Sequence, residues 1–157
     1  MKRLSVPIFA LCLLAACENK ASEKKEELII PAKDTVAMAN TASYTGCYMM
    51  TIEKDTAYMH LDDSASYLSG HLSYNRFEKD SNRGSVTLKA EKGKLKGWYN
   101  FMSEGQLSVR EIVFKITGTS LAEAYGDVEM KGDSVFFKYP AALHFEDRHT
   151  FVKTVCK

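Results

Sequence analysis

Apolar and polar residues alternate with a period of two through most of this chain, from Tyr44 almost to its end. The alternating segments are rich in β-branched and aromatic residues, and turn-forming residues separate them about every eight to twelve positions. This pattern is typical of half-buried β-strands, whereas a helix would repeat its apolar residues every three or four positions. Residues 42–157 are therefore expected to form one all-β domain.

The clearest predicted hairpin turns at Lys92-Gly93. A two-residue turn there fixes the register and places eight residues on one inner face: Gly84, Val86, Leu88, Ala90, Leu95, Gly97, Tyr99 and Phe101. The opposite face carries mainly Ser, Thr, Lys and Asn, so we expect it to be wet. Trp98 is the exception on that face and is expected to be exposed, either as an isolated surface aromatic or as a partner contact.

A second hairpin is predicted around a loop at residues 63–66. Its inner face pairs three residues of one strand with three of the next, namely Ala57, Met59 and Leu61 with Leu72, Gly70 and Leu68. On the outer face, this register sets His71 opposite Tyr58 and diagonal to His60. Two imidazoles could share a metal ion, but zinc requires three or four ligands. We therefore interpret them as surface histidines and predict no metal site.

Charged residues enter the predicted inner row of the third hairpin, which turns at Gly118-Thr119. In its register Arg110 faces Asp127, with Glu123 and Tyr125 on the same row. A buried unpaired charge costs several kcal/mol, so Arg110 is expected to form an ion pair with Asp127 or Glu123, assisted by the Tyr125 hydroxyl. These four residues form the candidate site. Its function would be that of a polar anchor inside a ligand cavity, or of an acid and its partner. The structural alternative is a buried network or a wet barrel end.

The strands of the carboxyl-terminal part are predicted at residues 120–130, 134–138 and 148–155. The first of them is the second strand of the third hairpin. Tyr139-Pro140 interrupts the chain before the last strand, because proline cannot donate a hydrogen bond to a ladder.

The amino-terminal residues have the parts of an export signal, since Met1-Lys2-Arg3 precedes about eleven apolar residues, too few to span the bilayer. The end of this segment, Leu14-Ala15-Ala16-Cys17, resembles the lipobox of bacterial lipoproteins; an ordinary cleaved signal is the alternative. The resemblance implies cleavage of residues 1–16 and acylation of Cys17. Two or three acyl chains hold a protein stably on a membrane. Residues 17–41 are rich first in Glu and Lys and then in Ala and Thr, with Leu28-Ile29-Ile30-Pro31 as an apolar interruption, and are interpreted as a flexible tether.

The cysteines suggest how the domain closes. Cys12 is lost with the signal and Cys17 is lipidated, which leaves Cys47 and Cys156. In an exported chain such a pair is most simply a disulfide, with reactive thiols as the alternative. A bridge between the first and last strands predicts an antiparallel meander of about eight strands closed into a small, lipocalin-like barrel, with an open β-sandwich as the alternative.

Short segments spread over the domain resemble small, functionally unassigned lipoproteins of Bacteroidota: Tyr44-Thr45-Gly46-Cys47-Tyr48, Ser103-Glu104-Gly105, Arg110-Glu111, Leu121-Ala122-Glu123-Ala124-Tyr125-Gly126 and Cys156. The resemblance implies an envelope protein and no particular reaction. A weaker likeness is to membrane-bound lysozyme inhibitors, which are also lipidated small barrels with a disulfide. Ser64-Ala65-Ser66-Tyr67 lacks the glycine of their serine-glycine loop.

Composition and motifs restrict the function further. Without Lys2 and Arg3, the chain has 19 of its 21 basic residues against 20 acidic ones, which argues against nucleic acid as a partner. The sequence contains no nucleophile elbow, phosphate loop or paired-histidine zinc motif, so neither catalysis nor a cofactor is predicted. We expect a protein that is anchored in the cell envelope, at the outer membrane, and that binds a small apolar or amphipathic ligand. The sequence does not assign the anchor to either leaflet. The alternative is a protein-interaction or hydrolase-inhibitor role through its loops and outer face.

Overall fold

The computed structural model describes residues 41–103 and 105–157. The predictions for residues 1–40, including the signal peptide, Cys17 lipidation and nearly all of the tether, lie outside the described residues. Single-turn 3-10 helices, Thr41–Tyr44 and Pro140–Ala142, precede the first and last strands. The strands are β1 (Gly46–Ile52), β2 (Asp55–Asp63), β3 (Leu68–Asn75), β4 (Asn82–Glu91), β5 (Lys94–Ser103), β6 (Gln106–Thr117), β7 (Ser120–Tyr125), β8 (Val128–Lys131), β9 (Ser134–Phe137) and β10 (His144–Thr154). Within these two ranges, no helix is long and apolar enough to cross a membrane.

Eight of the strands form a closed antiparallel barrel. Strands β1 to β7 pair in chain order, and β10 joins β7 to β1 and completes the ring. The predicted all-β barrel is therefore confirmed, and the open sandwich is wrong. Cys47 in β1 is bonded to Cys156, 109 residues later and just beyond β10. The predicted disulfide is confirmed, and it fastens the seam at which the barrel closes.

The first predicted hairpin has the expected register. Val86 lies opposite Tyr99 and Leu88 lies opposite Gly97. Both residues of the turn are in the left-handed region, with φ 47° at Lys92 and 75° at Gly93, as a tight two-residue hairpin requires. The inner face is therefore fixed by local turn chemistry.

The second hairpin has the predicted inner face but not the predicted register. Asp63 pairs with Leu68 and Met59 pairs with Leu72, which shifts the pairing by two residues. The loop begins one residue later than predicted, and its turn is closed by a hydrogen bond from the Ser64 N–H to the Tyr67 carbonyl (2.8 Å). A two-residue shift keeps every side chain on its face. It nevertheless changes the partners on the outer face.

The third hairpin is shorter than predicted. β6 pairs with β7 only from Thr117–Ser120 to Phe114–Glu123, and β7 ends at Tyr125. The chain then leaves the barrel as the β8–β9 hairpin, and β9 pairs in parallel with β6 at Val109 and Arg110. The single strand predicted at residues 120–130 is therefore wrong, as is the pairing of Arg110 with Asp127.

The β8–β9 hairpin covers the outer face of β5 and β6. Phe136 packs edge-to-face on Trp98, with ring centroids 5.0 Å apart. Glu111 is only 6% exposed. Its carboxylate accepts a hydrogen bond from the Phe137 N–H (2.9 Å) and forms an ion pair with Lys96 Nζ (2.8 Å). The prediction that Trp98 is exposed is wrong, because a second layer half-buries it.

Large side chains fill most of the barrel interior. The bulkiest fully buried ones are Tyr48, Tyr99, Phe114, Phe151, Met59, Leu61, Leu68, Leu72, Leu88, Leu95, Ile112 and Leu121. At the end nearest the first 3-10 helix, Tyr44 packs against this core and its carbonyl accepts a hydrogen bond from the Tyr48 hydroxyl (2.9 Å). We call the opposite end, which contains the β1–β2 turn and the loop between β3 and β4, the mouth.

Candidate binding site at the barrel mouth

The mouth contains a cavity of about 260 Å³. Its walls combine apolar, aromatic and charged side chains from six strands and an adjoining loop: Met50, Ile52, Asp55, Thr56, Tyr74, Arg76, Arg110, Glu123, Tyr125 and His149. Small-molecule pockets usually occupy about 300–1,000 Å³, so this one suits a small ligand. Large buried side chains, Phe114 and Phe151 among them, fill the core of the barrel.

Glu123 forms the floor of the cavity, where it is 4% exposed. Its Oε1 accepts a hydrogen bond from the Tyr74 hydroxyl (2.7 Å) and contacts Arg110 Nη2 (3.4 Å). The Tyr125 hydroxyl donates to Oε2 (3.4 Å). A buried carboxylate is tolerated when charge and donors compensate it, and here one cation and two hydroxyls do so.

Burial changes the ionisation of this group of residues. It raises the pKa of Glu123 above the ordinary 4.5, although the Arg110 charge and the Tyr74 hydroxyl partly offset the shift. Burial also raises the pKa of Tyr99 to about 12, and burial together with the Glu123 charge raises the pKa of Tyr74 well above its ordinary value. Both tyrosine hydroxyls therefore stay protonated near neutral pH and remain donors.

Arg110 connects the floor to solvent. Its guanidinium carbon lies 5.9 Å from the ring centroid of Tyr74 and 6.0 Å from that of Tyr99, within range of cation–π attraction. The side chain is 34% exposed, and its contact with Glu123 is long. A guanidinium has five N–H donors, so several remain for water or a ligand in the cavity.

His149 is a wall residue that the sequence analysis did not nominate. The pairing of β10 with β7 shifts between Phe145 and Thr150, and this bulge brings the His149 ring to 4.2 Å from that of Tyr125. Its side chain is 15% exposed, and its Nδ1 lies 3.3 Å from Glu146 Oε2, without the geometry of a hydrogen bond. The alternation that places Phe151 inward also places His149 inward, so the signal was present.

The structure brings together three of the four predicted site residues. Arg110, Glu123 and Tyr125 share the cavity, and the predicted ion pair between Arg110 and Glu123 is present, with the Tyr125 hydroxyl beside it. Asp127 does not line this cavity; it follows the end of β7, where its carbonyl accepts a hydrogen bond from the Lys138 N–H (2.8 Å). Tyr74 was not among the predicted site residues, yet it donates the shortest hydrogen bond to Glu123.

The polar groups of the mouth that remain available to a ligand are mainly hydrogen-bond donors. The Glu123 carboxylate is occupied by its three partners, and Asp55 Oδ1 accepts from the Phe77 N–H (2.7 Å). Arg110 and the exposed Arg76 supply positive charge at the wall. Beside them, Met50 and Ile52 supply apolar surface.

No family model, curated protein or solved structure matches this chain. The resemblances to lipoproteins and to lysozyme inhibitors therefore stay predictions.

Proposed function

We propose that this protein is a membrane-anchored lipoprotein of the cell envelope and that its barrel binds a small amphipathic ligand at the mouth, without catalysis. The observation that carries the proposal is the 260 Å³ cavity beside Arg110, floored by the Arg110–Glu123–Tyr125 group and backed by a packed core. A cation that is one-third exposed, beside a buried carboxylate that already has three partners, favours an anionic group on the ligand. The neighbouring apolar wall favours a short hydrocarbon or ring beside that group.

The filled interior restricts the range of ligands predicted from the sequence. A purely apolar molecule would leave the Arg110 donors without partners, which costs free energy in a desolvated site. A long acyl chain would need the space that Phe114 and Phe151 occupy. The proposed ligand is therefore a short carboxylate or a similar small anion with an apolar part.

Native mass spectrometry of protein purified from its own membranes tests this function. We expect a bound small molecule that is lost in Arg110→Gln but kept in Arg148→Gln, a control whose charge pairs with Glu146 in an exposed contact (2.6 Å). Circular dichroism should first show that both variants fold. Folded wild-type protein without any bound small molecule, and without affinity for short carboxylates, would overturn the proposal.

The alternative function is a protein-interaction or hydrolase-inhibitor role through the outer face. A groove of about 660 Å³ crosses the outer faces of β1, β7 and β10 and supports this alternative. Met49 and Val152 pair across its floor and are 39% and 55% exposed. A specific envelope partner captured by wild-type protein but not by Val152→Asp would favour it, and a pull-down that recovers nothing specific would count against it.

A further inference from the structure

The outer face of the barrel carries a row of metal-ligating side chains across three strands. His60 in β2 lies directly opposite Cys47 in β1 and directly opposite His71 in β3. The register predicted from the sequence sets the two histidines diagonal to each other, and the two-residue register shift aligns them. Neighbouring strands are about 4.8 Å apart, so each of the three side chains lies beside the next one in the row.

Cys156 adds a second sulfur at the end of this row. One ring nitrogen of His60 and the sulfurs of Cys47 and Cys156 all lie within 4.8 Å of one another. Zinc holds sulfur and nitrogen at about 2.0–2.3 Å, which places ligand atoms on a tetrahedron about 3.5 Å apart. Cys156 follows the last residue of β10, Thr154, so no β-ladder fixes its backbone.

Two further contacts are of the kind that orients metal ligands. The Tyr58 hydroxyl donates a hydrogen bond to Cys47 Sγ (2.9 Å), and this contact would stabilise a thiolate. Asp62 Oδ1 lies 3.5 Å from His60 Nε2. Carboxylates beside ligating imidazoles fix the ring and raise its basicity, so the row has outer partners as well as ligands.

We propose that reduction of the Cys47–Cys156 disulfide converts this row into a zinc site, with Cys47, Cys156 and His60 as ligands and His71, opposite His60, as a candidate for the fourth position. In the oxidised protein the two sulfurs are bonded to each other and cannot act as thiolates. The site therefore binds metal only in the reduced state. It lies on the outer face and does not depend on the proposed ligand at the mouth.

The reductant is a dithiol. One of its thiolates attacks the sulfur of Cys156, which belongs to an exposed residue, whereas Cys47 is 1% exposed. The protein S–S bond breaks, Cys47 leaves as a thiolate, and a mixed disulfide forms. The second thiol of the reductant then attacks the mixed disulfide and displaces Cys156 as a thiolate. The reductant leaves with its own two sulfurs joined in a disulfide. Two electrons have passed to the protein pair, and zinc binding releases the two thiol protons to solvent.

Cobalt(II) titration of the purified protein before and after reduction tests the site, because thiolate ligands give cobalt a near-ultraviolet charge-transfer band and tetrahedral coordination gives strong visible bands. We expect one equivalent of cobalt to produce both signals in the reduced protein and neither in the oxidised protein. Zinc should displace the cobalt and should raise the melting temperature of the reduced protein only, since a ligand that binds the folded state stabilises it. His60→Ala should weaken cobalt affinity about tenfold or more, and His144→Ala, on an exposed residue of β10, should not.

Three outcomes would overturn the site. The first is reduced protein without the charge-transfer band. The second is a zinc-induced fall in melting temperature, which would mean that the metal binds the unfolded chain. The third is equal cobalt affinity in His60→Ala and His144→Ala. The oxidised and reduced wild-type proteins provide the comparison even if a variant fails to fold.

Discussion

Glu123 is the single residue on which the chemistry of the mouth depends most. It is the acceptor for Tyr74, Tyr125 and Arg110, and its burial is what keeps the guanidinium near two aromatic rings. Removing the carboxylate would leave Arg110 partly buried without its partner. Changing its charge while keeping its shape is therefore the most informative substitution.

Glu123→Gln should change how stability depends on pH. Because the folded pKa of Glu123 is raised above 4.5, the folded state holds the proton more tightly than the unfolded chain does. Its contribution to stability is present below pH 4.5 and is lost as pH rises through the folded pKa. The unfolding free energy of wild type minus that of the variant should thus fall as pH rises, as measured by urea denaturation.

Glu146→Gln is the matched control with the opposite sign. Hydrogen bonding to Arg148 lowers the pKa of Glu146 below 4.5, so its small contribution is lost as pH falls. A difference for Glu123→Gln that rises with pH would contradict the account. It would mean that Arg110 outweighs burial.

At the scale of elements, close strand contacts depend on glycines in β3, β4 and β5. A Cβ on Gly70, Gly84 or Gly97 would lie far inside the van der Waals contact distance of a backbone carbonyl oxygen on the neighbouring strand, from His60, Asn100 and Thr87 respectively. Strongly bent strands need such positions, since any side chain there would push the ladder apart.

Gly97→Ala should destabilise the barrel by about 3 kcal/mol, because β5 must move away from the Thr87 carbonyl of β4. Chemical denaturation measures the loss. Ser85→Ala, on an exposed outer position of β4, should change stability by no more than about 0.5 kcal/mol. Equal stability of Gly97→Ala and wild type would show that the strand bends for another reason.

The β8–β9 hairpin covers the outer face of the barrel at β5 and β6. Phe136→Ala should expose Trp98, the chain's single tryptophan, and shift its fluorescence emission to longer wavelength. Met130→Ala in the same hairpin removes a side chain that is already 74% exposed and should leave the emission unchanged. An unshifted spectrum in Phe136→Ala would contradict the packing of this second layer.

For the whole molecule, closure rests on the pairing of β1 with β10 and on the disulfide beside it. The double substitution Cys47→Ser/Cys156→Ser opens a loop spanning 109 residues. It should lower the free energy of unfolding by about 4–5 kcal/mol in the chain-entropy account. Urea denaturation of oxidised wild type and of the double variant measures the difference, and a loss below about 1 kcal/mol would show that pairing alone closes the barrel.

Local signals account for much of this fold. The Lys92-Gly93 turn fixes its hairpin because both residues adopt positive φ, and the alternation of β6 identifies Arg110 as inward. Strand β7 illustrates what local pattern cannot decide: residues 120–130 alternate throughout, yet the chain leaves the barrel after Tyr125. The reason is non-local, since β9 pairs with β6 at Val109 and Arg110, beyond the point where the pairing of β6 with β7 ends.

The site was predictable to the same degree. Arg110 and Glu123 were found because a charge on an apolar row must be paired, whereas Asp127 was assigned by extending a ladder that ends earlier. The alternation of β10 already placed His149 on the inward face with Phe151, but its contact with Tyr125 depends on the bulge in β10, which no residue type predicts. The sequence therefore predicts which face of a strand each residue occupies and where the charges lie. Tertiary strand pairing decides which of these residues come into contact.

The most direct test of a ligand site at the mouth is a two-dimensional amide NMR titration of the protein with hexanoate, with hexylammonium as the matched probe of opposite charge. The account predicts saturable shifts at the cavity residues, centred on Met50, Tyr74, Arg110, Tyr125 and His149, with hexanoate and much weaker shifts with hexylammonium. Shifts confined to the outer groove at Met49 and Val152, equal responses to both probes, or no saturable response to hexanoate would contradict it.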